Sequence, residues 1–261
     1  MNIQINFMNK FHFIFDKTKR TQNLKKIFKK YRNYSLKKST IIVVAGGDGF
    51  MLRVLKKFYK YKKPFYGINC GTIGFLMNKL FFTNLENRIK QAKSFIINPI
   101  ESNIITTNKK LFKTISINEI SLLRQSKQTA ILNLQINHKN LIKKLISDGV
   151  LVSTPAGSTA YNLSVNGPIL SLNSKKIAVT PISPFRPRRL RGKIISDKSL
   201  VTITNLEPEK RPVSAVADNN EFRNIKKIKI KVNKNKKIQL LFNKGSSLIK
   251  KIKEEQRKKI K

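Results

Sequence analysis

Thr40-Ile-Ile-Val-Val-Ala-Gly-Gly-Asp-Gly49 is the stretch that decides the fold. Its apolar run is short, β-branched and closed by glycines, as a strand buried on both faces of a parallel sheet requires. Phe50 to Tyr61 then carries apolar residues at Met51, Val54, Leu55, Phe58 and Tyr59, the spacing of an amphipathic helix. Strand, turn and helix in that order put Asp48 at the carboxyl end of a strand, where open α/β sheets bind ligands. Glycines there let the backbone approach a phosphate. An Asp in a tight turn also commonly serves its own backbone, and the helix that follows favours the ligand.

Outward from this unit the character changes near Asn98-Pro99. Before it, short apolar strands alternate with the helical stretches Gln22 to Tyr31 and Leu85 to Phe95, the pattern of an α/β layer fold. After it, strand-like runs dominate: Asn103–Thr107, Phe112–Ile117, Ala130–Ile136, Leu200–Thr204 and Ile238–Phe242. The expected domains are 1–98, α/β with the Gly-Gly-Asp-Gly turn, and 99–245, β-rich. Residues 246–261 read as a basic C-terminal helix or tail.

Two more segments carry chemistry. Pro64-Phe-Tyr-Gly-Ile-Asn-Cys-Gly-Thr-Ile-Gly-Phe75 reads equally as a plain strand-to-helix turn and as a functional loop. Asp148-Gly-Val-Leu-Val-Ser-Thr-Pro-Ala-Gly-Ser-Thr-Ala-Tyr-Asn-Leu-Ser164 runs from an acidic residue through a core strand into a turn forced by Pro155, Gly157 and Ser158. Ser158 and Thr159 ahead of Ala160 and Tyr161 predict a capped helix start, whose free N–H groups favour phosphate or ribose oxygens. Neither Gly-x-Gly-x-x-Gly nor Gly-x-x-x-x-Gly-Lys-Ser/Thr is present, which argues against both standard nucleotide-binding designs.

The chain has 261 residues and 40% hydrophobic content, enough for a substantial core in one large domain or two modest ones. A lone cysteine, Cys70, excludes an intramolecular disulfide and suits a reducing cytoplasm. His12, His138 and Cys70 show no zinc spacing. No run approaches the roughly 18 apolar residues of a membrane span. The formal charge of +42, from 55 basic and 13 acidic residues, attracts polyanions whatever the fold. Lysine is scattered along the whole chain with Asn, Ile and Phe, so dispersed surface bias explains it better than a dedicated groove. Arg186-Pro-Arg-Arg-Leu-Arg-Gly-Lys193 and the C-terminal cluster remain candidates for anion contacts.

Taken in order, Gly46-Gly-Asp-Gly49, Asn69-Cys-Gly-Thr-Ile-Gly-Phe75, Asn118-Glu119, the Asp148 to Ser164 block and Thr180-Pro-Ile-Ser-Pro184 resemble the NAD kinase family in its bacterial form. The resemblance implies a Rossmann-like α/β domain followed by a β-rich domain, and ATP-dependent phosphorylation of the adenosine-ribose 2′-hydroxyl of NAD. It implies Asp48 as general base, with Gly49 and Arg53 lining the NAD and phosphate region. It further implies Asn118 and Glu119 as a pair that hydrogen-bonds NAD. Asp148, Ala156, Thr159, Ala160, Tyr161, Asn162, Leu163 and Ser164 would complete the cradle, and Tyr161 offers a ring for stacking. ATP is the expected donor with a divalent cation, Mg²⁺, held through substrate phosphates and water rather than a legible side-chain cage. A homo-oligomer in the cytoplasm is expected, with no membrane insertion and no specific nucleic acid.

Two positions depart from the family pattern: Phe50 stands where relatives often carry Thr, and Ser183-Pro-Phe-Arg lacks a frequent His. The competing readings are a diacylglycerol-kinase-like lipid kinase, similar in its Gly-Gly-Asp-Gly turn, and a non-catalytic basic nucleic-acid-binding protein. The second lacks an aromatic RNA platform or a helix-turn-helix pattern.

Overall fold

Residues Ile41–Gly46 form a strand buried at every position, matching the apolar run that predicts it. The computed structural model describes residues 9–72, 74–245 and 251–252. The chain divides into two units, Met1–Ile97 with Lys237–Lys261, and Asn98–Lys236. In chain order the first unit holds β1 (Phe11–Phe15), α1 (Lys19–Ile27), β2 (Ile41–Gly46), α2 (Asp48–Phe58), β3 (Phe65–Asn69), α3 (Leu85–Lys90) and β4 (Lys93–Ile97).

The second unit follows with β5 (Ile100–Thr106), β6 (Leu111–Ser116), β7 (Glu119–Arg124), β8 (Ala130–Ile136), β9 (Lys139–Ser147) and β10 (Gly149–Ser153). Then come α4 (Tyr161–Ser164), β11 (Lys176–Ile182), β12 (Lys193–Ser196), β13 (Val201–Asn205), β14 (Val213–Ala217), β15 (Asn220–Phe222) and β16 (Ile225–Val232). The last strand, β17 (Ile238–Phe242), belongs to the first unit.

The sheet of the first unit has the order β1-β2-β3-β17-β4. Its pairs are parallel except β17 with β4. Thr18 caps α1, its hydroxyl accepting the Thr21 N–H, and the fully buried Leu24 packs with Phe11, Phe13, Ile41 and Val43. Burying one such leucine contributes about 1.5–3 kcal/mol. On α2 the buried residues are Met51, Val54 and Leu55, a single stripe.

Several element bounds differ from the sequence reading, each for a local reason. α2 begins at Asp48, because Gly47 takes the extended conformation of an N-cap and the Asp48 charge sits in the first turn, where the helix dipole favours it. It ends at Phe58 and passes into a 3₁₀ turn, Tyr59–Tyr61. The helix expected over Gln22–Tyr31 is α1 plus a 3₁₀ turn, Phe28–Lys30. The helix expected over Leu85–Phe95 stops at Lys90, and Lys93–Ile97 is a strand paired with β17. There the β-branched, Pro-terminated run gains a ladder of main-chain bonds that local pattern does not reveal. Ile238–Phe242, read with the second domain, pairs instead with β3 and β4. The helix or tail expected at 246–261 lies outside the described residues except at Lys251 and Ile252, which are helical.

The second unit is two six-stranded antiparallel sheets, β12-β11-β10-β7-β14-β15 and β6-β5-β16-β13-β8-β9. Their inner faces share one core: Ile120, Leu122 and Val150 from the first sheet meet Ile104, Leu132 and Ile203 from the second. Along β5 every second residue is buried, the period-two pattern of a strand with one face inward. Gly149 is required where β10 crosses β7, since a Cβ there would stand 1.9 Å from the Leu122 carbonyl oxygen. No helix among the described residues is long and apolar enough to cross a membrane.

Because β17 is an interior strand between β3 and β4 and Leu240 is almost fully buried, Leu240→Ala is expected to cost about 2–5 kcal/mol. Denaturant unfolding followed by amide exchange in β3 reads this directly, and a loss below about 1 kcal/mol would mean that the strand is not integral to the sheet.

Candidate functional site

In the first unit the site is built on the carboxyl end of β2. Asp48 is half-buried, and its carboxylate accepts hydrogen bonds from the backbone N–H of Phe75 at 2.6 Å and of Leu76 at 3.0 Å. Burial pushes its pKa above the ordinary carboxylate value of 3.8, while the two N–H groups and the charge of Lys251 pull it back. The result is a fixed carboxylate made more basic by its surroundings.

The loop after β3 leads into no helix until Leu85, so the plain strand-to-helix reading of Gly71 and Gly74 does not hold. Its backbone turns over the end of β2, with the Cys70 N–H donating to the Gly46 carbonyl at 2.8 Å. At Gly74 a Cβ would stand 2.8 Å from both Asn69 Cγ and Met77 Cβ, so this closeness needs glycine. Gly49 is exposed, and among the described residues nothing outside its own helix backbone and chain neighbours lies within 4 Å of where a Cβ would stand, so its face of α2 next to Asp48 in sequence is open. Arg53 is exposed on α2 with its guanidinium 5.4 Å from the Phe50 ring centroid. Phe50, in the place of a threonine, thus supplies a platform for a cation.

In the second unit Asp218 organises the site, and the sequence reading missed it. Its carboxylate accepts the N–H groups of Ile117 and Asn118, each at 2.9 Å, and of Glu119 at 3.3 Å. Asp218 lies in the tight turn between β14 and β15 with φ 53, so its one sequence signal, an Asp-Asn pair between strands, reads as an ordinary hairpin turn. Thr154 was missed as well. Its hydroxyl donates to the Ile117 carbonyl at 2.7 Å and accepts the Gly157 N–H at 3.1 Å. Gly157 then lies flat on Asn118, where a Cβ would come within 2.2 Å of the carbonyl oxygen.

Among the described residues, Asn118 Oδ1 and Thr159 Oγ1 are buried without a hydrogen-bond partner. A buried polar atom left unpaired costs about 1–3 kcal/mol, so a ligand that satisfies it is favoured. Tyr161 is half-buried nearby. Its pKa is raised by burial and then by the charges of Asp148 and Glu119, which brings all three side chains into one neighbourhood. Asp148 accepts Arg124 Nε at 2.6 Å, with both side chains about a third exposed; such a pair adds little stability, roughly 0–1 kcal/mol. Ala156 is buried in the turn, Ala160 and Leu163 are half-buried, and Ser164 is exposed. Ser164 lines a cavity of about 740 Å³ with Asn166, Ser183, Arg189 and Arg191.

One expectation, the capped helix start, is corrected here. Ser158 does not cap a helix: its hydroxyl donates to the Pro155 carbonyl at 2.8 Å and accepts the Leu170 N–H at 3.0 Å. Gly157–Thr159 is a 3₁₀ turn, and α4 has four residues with Ala160 as its N-cap and no side-chain cap bond. So short a helix gathers little dipole. Asn162 is fully buried, its amide donating to the Ser158 and Pro168 carbonyls while its oxygen accepts the Thr180 hydroxyl at 2.8 Å. These bonds shape the turn from within.

Comparison with known proteins bears on this arrangement. Residues 6–92 match the ATP-NAD kinase N-terminal domain, and residues 117–241 match the ATP-NAD kinase C-terminal domain. The chain is 43% identical over 242 residues to the NAD kinase of Zymomonas mobilis, covering 91% of this chain and 92% of that one. It is 38% identical over 250 residues to the NAD kinase of Rickettsia rickettsii, covering 95% and 98%. Among solved structures it resembles yeast NADH kinase complexed with NADH, with a TM-score of 0.79 at 20% identity over 98% of this chain and 90% of that one. It also resembles an NAD kinase from Archaeoglobus fulgidus in complex with ATP, with a TM-score of 0.70 at 20% identity over 94% and 96%. At that identity the structural likeness speaks for the fold alone.

The committed amide of Asn162 gives a direct expectation: Asn162→Ala should destabilise the second unit by about 2 kcal/mol or more, since it strands buried groups on three neighbours. Thermal unfolding measures it. A variant of wild-type stability that failed only in ligand binding would return Asn162 to the ligand-contacting set.

Proposed function

The chain belongs to the ATP-NAD kinase family, and from that premise we infer that it transfers the γ-phosphoryl group of ATP to the adenosine-ribose 2′-hydroxyl of NAD, giving NADP and ADP. The observation that carries the reading is the Asp48 carboxylate, held by two backbone N–H groups and made more basic by burial. A sugar hydroxyl is a poor nucleophile. As its oxygen forms a bond to the γ-phosphorus and the bond to the ADP oxygen breaks, Asp48 takes the hydroxyl proton, a contribution of roughly a hundred- to ten-thousand-fold.

Gly49 leaves its face of α2 open next to Asp48 in sequence, and Arg53 supplies a positive charge on the same helix. Asn118 Oδ1 and Thr159 Oγ1 are polar atoms ready to accept hydrogen bonds from NAD amino and hydroxyl groups. Glu119 and Asp148 add carboxylates, and Tyr161 adds a ring face between them. Ala156, Ala160, Leu163 and Ser164 flank these groups within the second unit, and Asn162 keeps the turn in shape.

A divalent cation fits this donor set as a companion of the triphosphate. Among the described residues no three His, Cys, Asp or Glu side chains converge on a metal position, and hard cations such as Mg²⁺ are commonly held by substrate phosphates and water. Bound in that way, the ion neutralises charge spread over the phosphoryl oxygens in a loose transition state.

The long matches to NAD kinases favour NAD over a lipid acceptor and over a non-catalytic nucleic-acid binder. With the +42 charge dispersed along the chain, nucleic acid is expected to bind only non-specifically and to be released by salt. A homo-oligomer accords with the exposed apolar side chains of Leu111 and Phe112, and a reducing cytoplasm accords with the free, buried Cys70.

Purified protein with NAD, ATP and Mg²⁺ is expected to yield NADP, read by an NADP-specific dehydrogenase. Asp48→Asn should lower kcat by at least about a hundred-fold with a smaller change in NAD affinity; near-normal turnover would remove Asp48 from the base role. Since the rate needs the ionised carboxylate and burial raises its pKa, kcat should fall as pH drops, on a limb above the usual carboxylate range. Tyr161→Ala should raise the KM for NAD by about tenfold and leave salt-dependent RNA binding unchanged.

A further inference from the structure

The segment that holds Asp48 is itself held from behind. Lys251 Nζ donates to the Phe75 carbonyl at 2.8 Å and to the Met77 carbonyl at 2.6 Å. The Phe75 carbonyl and the Leu76 N–H belong to one peptide group. That group therefore has an ammonium on its oxygen and the Asp48 carboxylate on its hydrogen. Hydrogen bonds aligned head to tail polarise one another, so the ammonium strengthens the N–H that reaches the carboxylate.

Lys251 is fixed in turn. Its ammonium lies 4.7 Å from the centroid of the Phe242 ring at the end of β17, and the adjoining Ile252 is buried. The rest of the loop is pinned separately. Buried Asn78 donates its amide to the Gly67 and Leu241 carbonyls, each at 3.0 Å, and accepts the Asn243 N–H at 2.8 Å. The Tyr66 hydroxyl, its pKa pushed up to about 12 chiefly by burial, donates to Asn243 Oδ1 at 2.7 Å. Residues 75 to 77 thus sit between a neutral clamp on one flank and an ammonium on the carbonyl side.

We propose that Lys251 is a positioning residue for phosphoryl transfer: its ammonium, held on the Phe75 and Met77 carbonyls, orients the Phe75–Leu76 peptide group so that the Leu76 N–H stays aimed at the Asp48 carboxylate. The proposal rests on Asp48 being the base. Lys251 touches no reacting atom and works through the Phe75–Leu76 peptide group. Among the described residues, Lys251 carries the charge that acts on Asp48, and its sign favours the ionised form, against burial. Removing that charge therefore raises the pH needed to ionise Asp48 and loosens the N–H groups that hold it.

The test uses the full-length chain and Lys251→Met, with Lys251→Arg as rescue. In Lys251→Met the exchange of the Phe75 and Leu76 amides should quicken and kcat at neutral pH should fall, each by about tenfold, with the KM for NAD held within about twofold. The acid limb of the kcat profile should move to higher pH, and Lys251→Arg should restore both the limb and the amide protection. Wild-type exchange and a wild-type pH profile in Lys251→Met, beside a disabled Asp48→Asn, would overturn the positioning role and leave the base intact. A fully active Asp48→Asn would instead overturn the base reading, and amide exchange would then decide whether Lys251 orders the loop. Lys251→Gln guards against misfolding of the Met variant: it keeps a donor without charge and must show the same displaced limb, and a wild-type profile in it overturns the proposal.

Discussion

A carboxylate that accepts successive backbone N–H groups is the device on which the candidate residues of each unit depend. Asp48 takes the N–H groups of Phe75 and Leu76 in the first unit, and Asp218 takes those of Ile117, Asn118 and Glu119 in the second. Irregular backbone near a core must find partners for its donors, and hydrogen bonds to a charged acceptor are worth about 1.5–3 kcal/mol each. The two aspartates turn that need into order. Each fixes a loop that regular secondary structure does not reach.

The device also sets chemical character. Two donors keep Asp48 in place, while burial makes the same group more basic, so position and reactivity come from one arrangement. In the second unit Asp218 engages the N–H groups of Ile117, Asn118 and Glu119, and the Thr154 hydroxyl engages that of Gly157. Among the described residues, Asn118 Oδ1 and Thr159 Oγ1 are left buried without a hydrogen-bond partner. A site that is rigid in its backbone and unsatisfied in selected side-chain atoms is prepared for a ligand before the ligand arrives.

The high positive charge plays no visible part in either arrangement. The residues that build the two arrangements are mostly neutral or acidic, and the basic ones among them, Arg53, Arg124 and Lys251, each have a specific partner. Many of the other lysines lie on exposed positions, such as Lys226, Lys229 and Lys231 of β16. A net charge of this size governs solubility and encounter with polyanions rather than the fold.

Strand β2, helix α2 and Asp48 between them were legible in the sequence, because a β-branched run, a glycine turn and a 3.6-residue stripe are local signals. So was the change to β-rich structure after Pro99, and the order of the motifs sufficed to place the chain in its family. What tertiary structure alone decided shares one physical cause, pairing between residues far apart in sequence. Lys93–Ile97 became a strand and Ile238–Phe242 joined the first sheet because each supplies the other's main-chain partners. Asn162 turned inward because Thr180, eighteen residues away, completes its hydrogen bonds. Asp218 and Lys251 acquired their roles over separations of about 100 and 175 residues, where no periodicity or turn signal carries information.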